Sequence, residues 1–213
     1  MNLIFGARRI DRSVKDPEKL LIEYRRDSGS RYLDHVSCTP SDKLVPEDLA
    51  VTILMNSRFS SAAFMAVQDC GDNVNLAALP DRALEETNEG ERQQVAELIA
   101  TVARWPGFAA SVATKVLHKK RPRLIPILDN QAIFGAYMNR DWPQRRSSTE
   151  SVYAAGRIGE ALDWIVFDLT RRENEMVWGV LSGVEPSRAR IELFDSVWWM
   201  YFRRTEPVRS IAD

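Results

Sequence analysis

Cysteine is scarce in this chain. The two present, Cys38 and Cys70, make neither a disulfide framework nor a four-cysteine cluster, so an iron–sulfur centre is excluded. Their scarcity fits a reducing cytoplasm. Histidine is equally scarce, and His35 and His118 lie too far apart in sequence to suggest a shared metal site. No stretch approaches the roughly 20 apolar residues of a membrane span. The opening MNLIFGARRIDRS holds an apolar run too short for a signal peptide. No alternating run is long enough for a convincing strand, and neither a repeat nor a low-complexity tract is visible. A large net charge is also missing. The formal value is −1, which argues against a protein that coats nucleic acid through its average charge. These absences point to a cytoplasmic, all-α protein without membrane association; the oligomeric state stays open, with a monomer as the expectation.

What is present is apolar residues at helical spacing and an uneven distribution of charge. The 213 residues are 45% hydrophobic, enough for one large domain or two small lobes around one cleft. Residues 101–150 carry nine Lys/Arg against three Asp/Glu, and residues 67–100 carry two against eight. Such asymmetry either makes a positive face without a basic average or merely alternates along solvated helices.

The helices announce themselves in order. Asp16-Pro17-Glu18 is a helix start, with Asp16 as the cap and Arg26 near the end. Residues 30–45 are polar and irregular. Pro46-Glu47-Asp48 starts the next helix, Asn56-Ser57-Arg58 interrupts it, and a further helix runs from Phe59 toward Gln68. After an acidic, loop-rich stretch, Glu91–Trp105 carries Val95, Leu98, Ile99 and Val102 on one face. Beyond a polar link, residues 150–169, 173–181 and 187–203 are helical. Ile191, Phe194, Val197, Trp198 and Tyr201 of the last read as core.

The stretch that organises the chain is WPGFAASVATKVLHKKRPRLIPILDNQAIFGAYM, Trp105 to Met138. A Pro-Gly turn opens it and a helix follows. The basic corner Lys119-Lys120-Arg121-Pro122-Arg123 ends that helix, because Pro122 lacks the amide a continuing helix needs. The apolar run Leu124–Leu128 then leads to Asp129. This resembles the helix-hairpin-helix motif and catalytic Asp of the base-excision DNA glycosylase superfamily. In that family a Pro-Gly-aliphatic-Gly hairpin holds a DNA phosphate through backbone amides, and an Asp follows at a nearly fixed distance. Here the step from Pro106 to Asp129 is 23 residues, and Pro126-Ile127-Leu128-Asp129 is similar to the adenine-glycosylase form. The match covers about 46–140, within a single two-lobed domain whose C-terminal helices span 150–204. A second resemblance covers most of the chain. It is to a bacterial family of unknown function that shares the KRPRLIP-type corner and an FDSVWWM-like helix.

The resemblance implies an all-α, helix-hairpin-helix glycosylase-like fold of two helical lobes around one cleft, acting on double-stranded DNA. It implies no cofactor beyond a monovalent cation at the hairpin. Asp129 would stabilise the positive charge that develops on the sugar as the N-glycosidic bond breaks; its ordinary alternative is a helix N-cap. Gly107 and Ala109 belong to the phosphate-binding hairpin. Ala109 departs from the family's second glycine. Ser111 stands where the strand-cutting branch carries its Lys, which implies base removal only. Lys115, on the same helix face as Ser111, reads first as a surface cation and second as a Schiff-base nucleophile. Lys119, Lys120, Arg121 and Arg123 are the phosphate-binding corner, to which Arg145 and Arg146 add. Asn56 or Arg58 would fill the space left by the flipped base, or simply belong to a helix–helix turn. No acid occupies the position of the adenine branch's purine-protonating Glu; Glu47 and Asp48 lie about a turn earlier, so adenine specificity is not carried over. The chemistry serves repair or defence against phage DNA bearing modified bases. The competing reading is a helix-hairpin-helix module that grips DNA without cutting it.

Overall fold

The computed structural model describes residues 1–6, 12–27, 30–55, 59–128 and 155–205. The fold is mostly helical, with one departure from an all-α chain. Strand β1 (Asn2–Phe5) pairs antiparallel with β2 (Arg12–Lys15), placing Leu3 opposite Val14. The sequence hides this hairpin because each strand has four residues, too few for alternation to register. Leu3, Phe5 and Val14 are nonetheless fully buried. Phe5 meets the edges of Phe194 and Trp198, with ring centroids 4.9 and 4.6 Å away.

Two buried polar side chains fasten the hairpin to the helices. The Asn174 carboxamide accepts from Ile4 N at 2.9 Å and donates to Ile4 O at 2.9 Å, as a neighbouring strand would. Asp168 accepts from Gly6 N at 2.8 Å. Both are fully buried, so their hydrogen bonds decide whether burial is tolerable at all.

The helices are α1 (Pro17–Arg26), α2 (Arg31–Asp34), α3 (Ala50–Leu54), α4 (Ser61–Cys70), α5 (Glu89–Ala103), α6 (Ala110–Lys120), α7 (Ala155–Thr170), α8 (Glu175–Val184) and α9 (Arg190–Thr205). Several starts follow local chemistry. The Ser60 hydroxyl accepts from Ala63 N at 3.2 Å and caps α4. Asn88 and Glu91 form a reciprocal capping box at α5. Asp16 precedes α1 as expected, but its backbone is left-handed, with φ of 51°, and its side chain caps nothing. Gly183 lies inside α8 rather than ending it.

One continuous apolar core joins residues from Leu3 to Trp198. At its centre is α9. Every residue from Ile191 to Trp198 is buried, on all sides of the helix rather than along the single stripe the sequence suggests. Its polar members are engaged. Glu192 accepts from Ala189 N at 2.9 Å, and the Ser196 hydroxyl donates to Glu192 O at 2.8 Å. No described helix is long and apolar enough to cross a membrane.

Candidate functional site

Helix α5 packs against α6, and residues 104–109 turn the chain between them. Gly107 adopts φ of +76°, the left-handed region that favours glycine. A Cβ there would lie 2.3 Å from Ser60 Oγ and 2.6 Å from Ala63 N. The turn is therefore seated on the first turn of α4 and admits no side chain at that point. Pro106 and Gly107 are exposed, and Trp105 meets Phe108 edge to face with centroids 5.6 Å apart.

Ala109 is the N-cap of α6, with extended backbone at φ −150°. That conformation suits any residue, so the absence of a second glycine costs no backbone strain. What Ala109 lacks is a capping oxygen: no side chain caps α6 here. Ser111 is half-buried in the first turn. Lys115 is 5% exposed, which corrects its reading as a surface cation. Its neighbourhood includes Tyr32, whose hydroxyl donates to Lys115 O at 2.6 Å. Burial, then the Asp195 carboxylate, raises the Tyr32 phenol well above its ordinary range, so it stays protonated and donates.

The basic corner differs most from expectation. Lys120 is buried. Its ammonium pairs with Asp48 at 2.7 Å, donates to Pro40 O at 2.7 Å and reaches Thr39 Oγ1 at 2.5 Å. Arg121 donates to Ser41 O at 3.0 Å and Leu76 O at 2.9 Å. Lys119 donates to Leu33 O at 3.1 Å and lies 4.5 Å from the Tyr32 ring centroid. Desolvation lowers the Lys119 ammonium to about 8, against the pull of Glu192. Only Arg123 is exposed. The assignment of all four cations to DNA phosphates is thus corrected. Lys120 is sealed from solvent, Lys119 answers the Leu33 carbonyl within α2, and Arg121 answers Leu76 O and, like Lys120 at Pro40 O, a carbonyl of the irregular stretch after α2. That stretch lacks regular partners for its carbonyls, and donors from α6 supply them. The pairing also engages Asp48, one of the two acids considered near the interruption after α3. Glu47 is exposed.

After the corner, Leu124–Leu128 runs buried beside α6 and α9. The Thr114 hydroxyl accepts from Leu128 N at 3.0 Å while donating to Ala110 O at 2.7 Å. Asp195 accepts from Ile127 N at 3.1 Å. His118 Nδ1–H donates to Ile125 O at 2.6 Å, which fixes the tautomer. Burial lowers the His118 imidazole to about 4, and the nearby Lys119 and Arg188 charges push the same way, so it is neutral at pH 7.

Sequence reasoning missed Thr114, His118 and Asp195. The available signal was a carboxylate in the middle of the apolar run of α9. Asp129, Asn56, Arg58, Arg145 and Arg146 lie outside the described residues. The described chain stops one residue short of Asp129, at Leu128. The structure joins the hairpin, Ser111, Lys115 and the approach to Asp129 through α6, whose last residue, Lys120, is spent on Asp48.

No curated protein and no solved structure matches this chain. A family model does, over residues 22–201, and its description is "Family of unknown function (DUF6308)". The match spans most of the chain, including α6, the basic corner and most of α9, so the chain belongs to that family.

Proposed function

We propose that this protein is a DNA glycosylase that flips a modified or damaged base out of double-stranded DNA and hydrolyses its N-glycosidic bond. One observation carries the reading. An exposed Pro106-Gly107 turn and an uncapped helix N-terminus share α6 with the clamp that holds Leu128, the residue before Asp129. In this reading the turn and first-turn amides of α6 hold a phosphate, since a helix N-terminus attracts anions. Asp129 stabilises the developing oxocarbenium ion and orients water. Ser111 at the lyase position leaves the abasic strand intact. The product is an abasic site, left for repair or marking phage DNA for loss.

The test is incubation with genomic DNAs of differing base modification, with mass spectrometry for free bases. Asp129→Asn keeps N-cap capability and should bind duplex DNA at least as well, yet lose about 10²–10³ in base-release rate. Base release by Asp129→Asn at the wild-type rate contradicts the mechanism. Duplex binding with no base released from any DNA favours the non-catalytic module instead.

A further inference from the structure

We propose that Thr114, His118 and Asp195 are positioning residues: they clamp the backbone of Ile125–Leu128 and so fix the point from which the chain presents its next residue. The inference deepens the glycosylase reading and rests on it.

The segment is buried throughout, from Leu124 to Leu128. A buried extended segment normally satisfies its backbone against a strand. Here no strand is used, yet every amide is answered. Leu124 N and Ile125 N donate to Arg121 O at 3.1 and 3.0 Å. Pro126 has no donor. Ile127 N and Leu128 N donate to Asp195 and Thr114, and Ile125 O accepts from His118. Three side chains from two helices therefore replace a strand.

Each is held firmly. Thr114 and His118 are 0% exposed and Asp195 is 8% exposed. The Thr114 hydroxyl is engaged as donor and as acceptor, which fixes its rotamer beyond the stiffness of a β-branched side chain. His118 stacks on Tyr32 with ring centroids 5.9 Å apart. A buried carboxylate is costly unless hydrogen-bonded, and Asp195 accepts from a backbone amide of the one segment that leads toward Asp129.

The placement has a consequence for rate. Thr114 lies between Ser111 and Lys115 on α6, the helix that starts at the hairpin. The clamp thus registers the approach to Asp129 against the same rigid element that would hold the phosphate. Misplacement by about 1 Å can cost about 10²-fold in a reaction that depends on orientation.

The experiment compares Thr114→Val, nearly isosteric but lacking the hydroxyl, with Thr114→Ser, which keeps it. The probe is the modified genomic DNA from which wild-type protein releases a base. Thr114→Val should lose about tenfold or more in kcat at unchanged KM, Thr114→Ser should return it to near wild type, and Leu128 amide exchange should speed only in the Val variant. Should Thr114→Val fail to fold, Thr114→Ala removes the same hydroxyl with less demand on shape. Wild-type kcat in a folded variant whose Leu128 amide exchanges faster would overturn the positioning role and leave the glycosylase reading standing. No base release by wild-type protein from any DNA overturns both, and the two failures are told apart by that control.

Discussion

Helix α6 has two unlike ends. Its N-terminal end follows an exposed glycine turn, carries no charged residue in its first turn and receives no side-chain cap. Its C-terminal end carries His118, Lys119 and Lys120, with Arg121 next, and these side chains turn toward the protein. The end rich in charge binds the protein's own carbonyls and one buried carboxylate. The end without charge begins just after the exposed Pro106-Gly107 turn. The lesson is that a basic run in sequence states how many cations there are and nothing about where they point. A segment without regular structure, such as that after α2, can engage cations such as Lys120 and Arg121.

The largest expected effect breaks the inward end. Lys120→Ala leaves Asp48 buried without its cation, and removing one partner of a buried pair costs about 3–5 kcal/mol. Arg123→Ala, a few residues on and exposed, should stay within about 0.5 kcal/mol. Urea unfolding of the two variants measures the contrast. Equal effects would mean that Lys120 is not the clasp described. Neutralising all four corner cations together is therefore expected to unfold the protein rather than report on DNA.

The open end breaks differently. Gly107→Ala forces a Cβ to 2.3 Å from Ser60 Oγ in a left-handed backbone. The backbone conformation alone costs about 1–3 kcal/mol. Ala109→Gly, two residues later, should change stability by only a few tenths of a kcal/mol, because Ala109 is extended. Thermal or urea unfolding again separates them.

A smaller effect comes from His118. Its folded value of about 4 lies below the ordinary 6.5. The unfolded chain therefore binds the extra proton first. The stability linked to this group is fully present above pH 6.5 and is lost as pH falls toward 4. Between those values the wild type should show about one more proton taken up on unfolding than His118→Gln. Identical slopes for the two proteins would place His118 in a more polar setting.

Much of the helical frame was legible before the structure. The Pro17 start, the α5 face, the end of α6 at Lys120 and the aromatic core of α9 follow from proline's constraints and from periodicity, which act over a few residues. The β1–β2 hairpin was not legible, because its strands are four residues long and their partners, Asp168 and Asn174, lie more than 160 positions away in the chain. The inward turn of the corner was illegible for the same reason: Thr39, Pro40, Ser41 and Asp48 meet Lys120 and Arg121 only through the fold. The clamp on Ile127 and Leu128 combines both difficulties, with a local partner in Thr114 and a distant one in Asp195. The Pro106-to-Asp129 spacing, by contrast, is visible in sequence alone.

The most direct test of the proposed phosphate site at the start of α6 is a pair of substitutions at Ala109. Ala109→Asp and Ala109→Asn both supply a capping oxygen to α6, and each should stabilise the fold by about 0.5–2 kcal/mol. Only Asp adds a negative charge where a phosphate would rest. Duplex DNA affinity at low salt should fall severalfold in Ala109→Asp and stay near wild type in Ala109→Asn, with the difference shrinking as salt rises. Equal DNA affinity of the Asp and Asn variants, both folded and both more stable than wild type, would contradict the assignment of this helix end to phosphate.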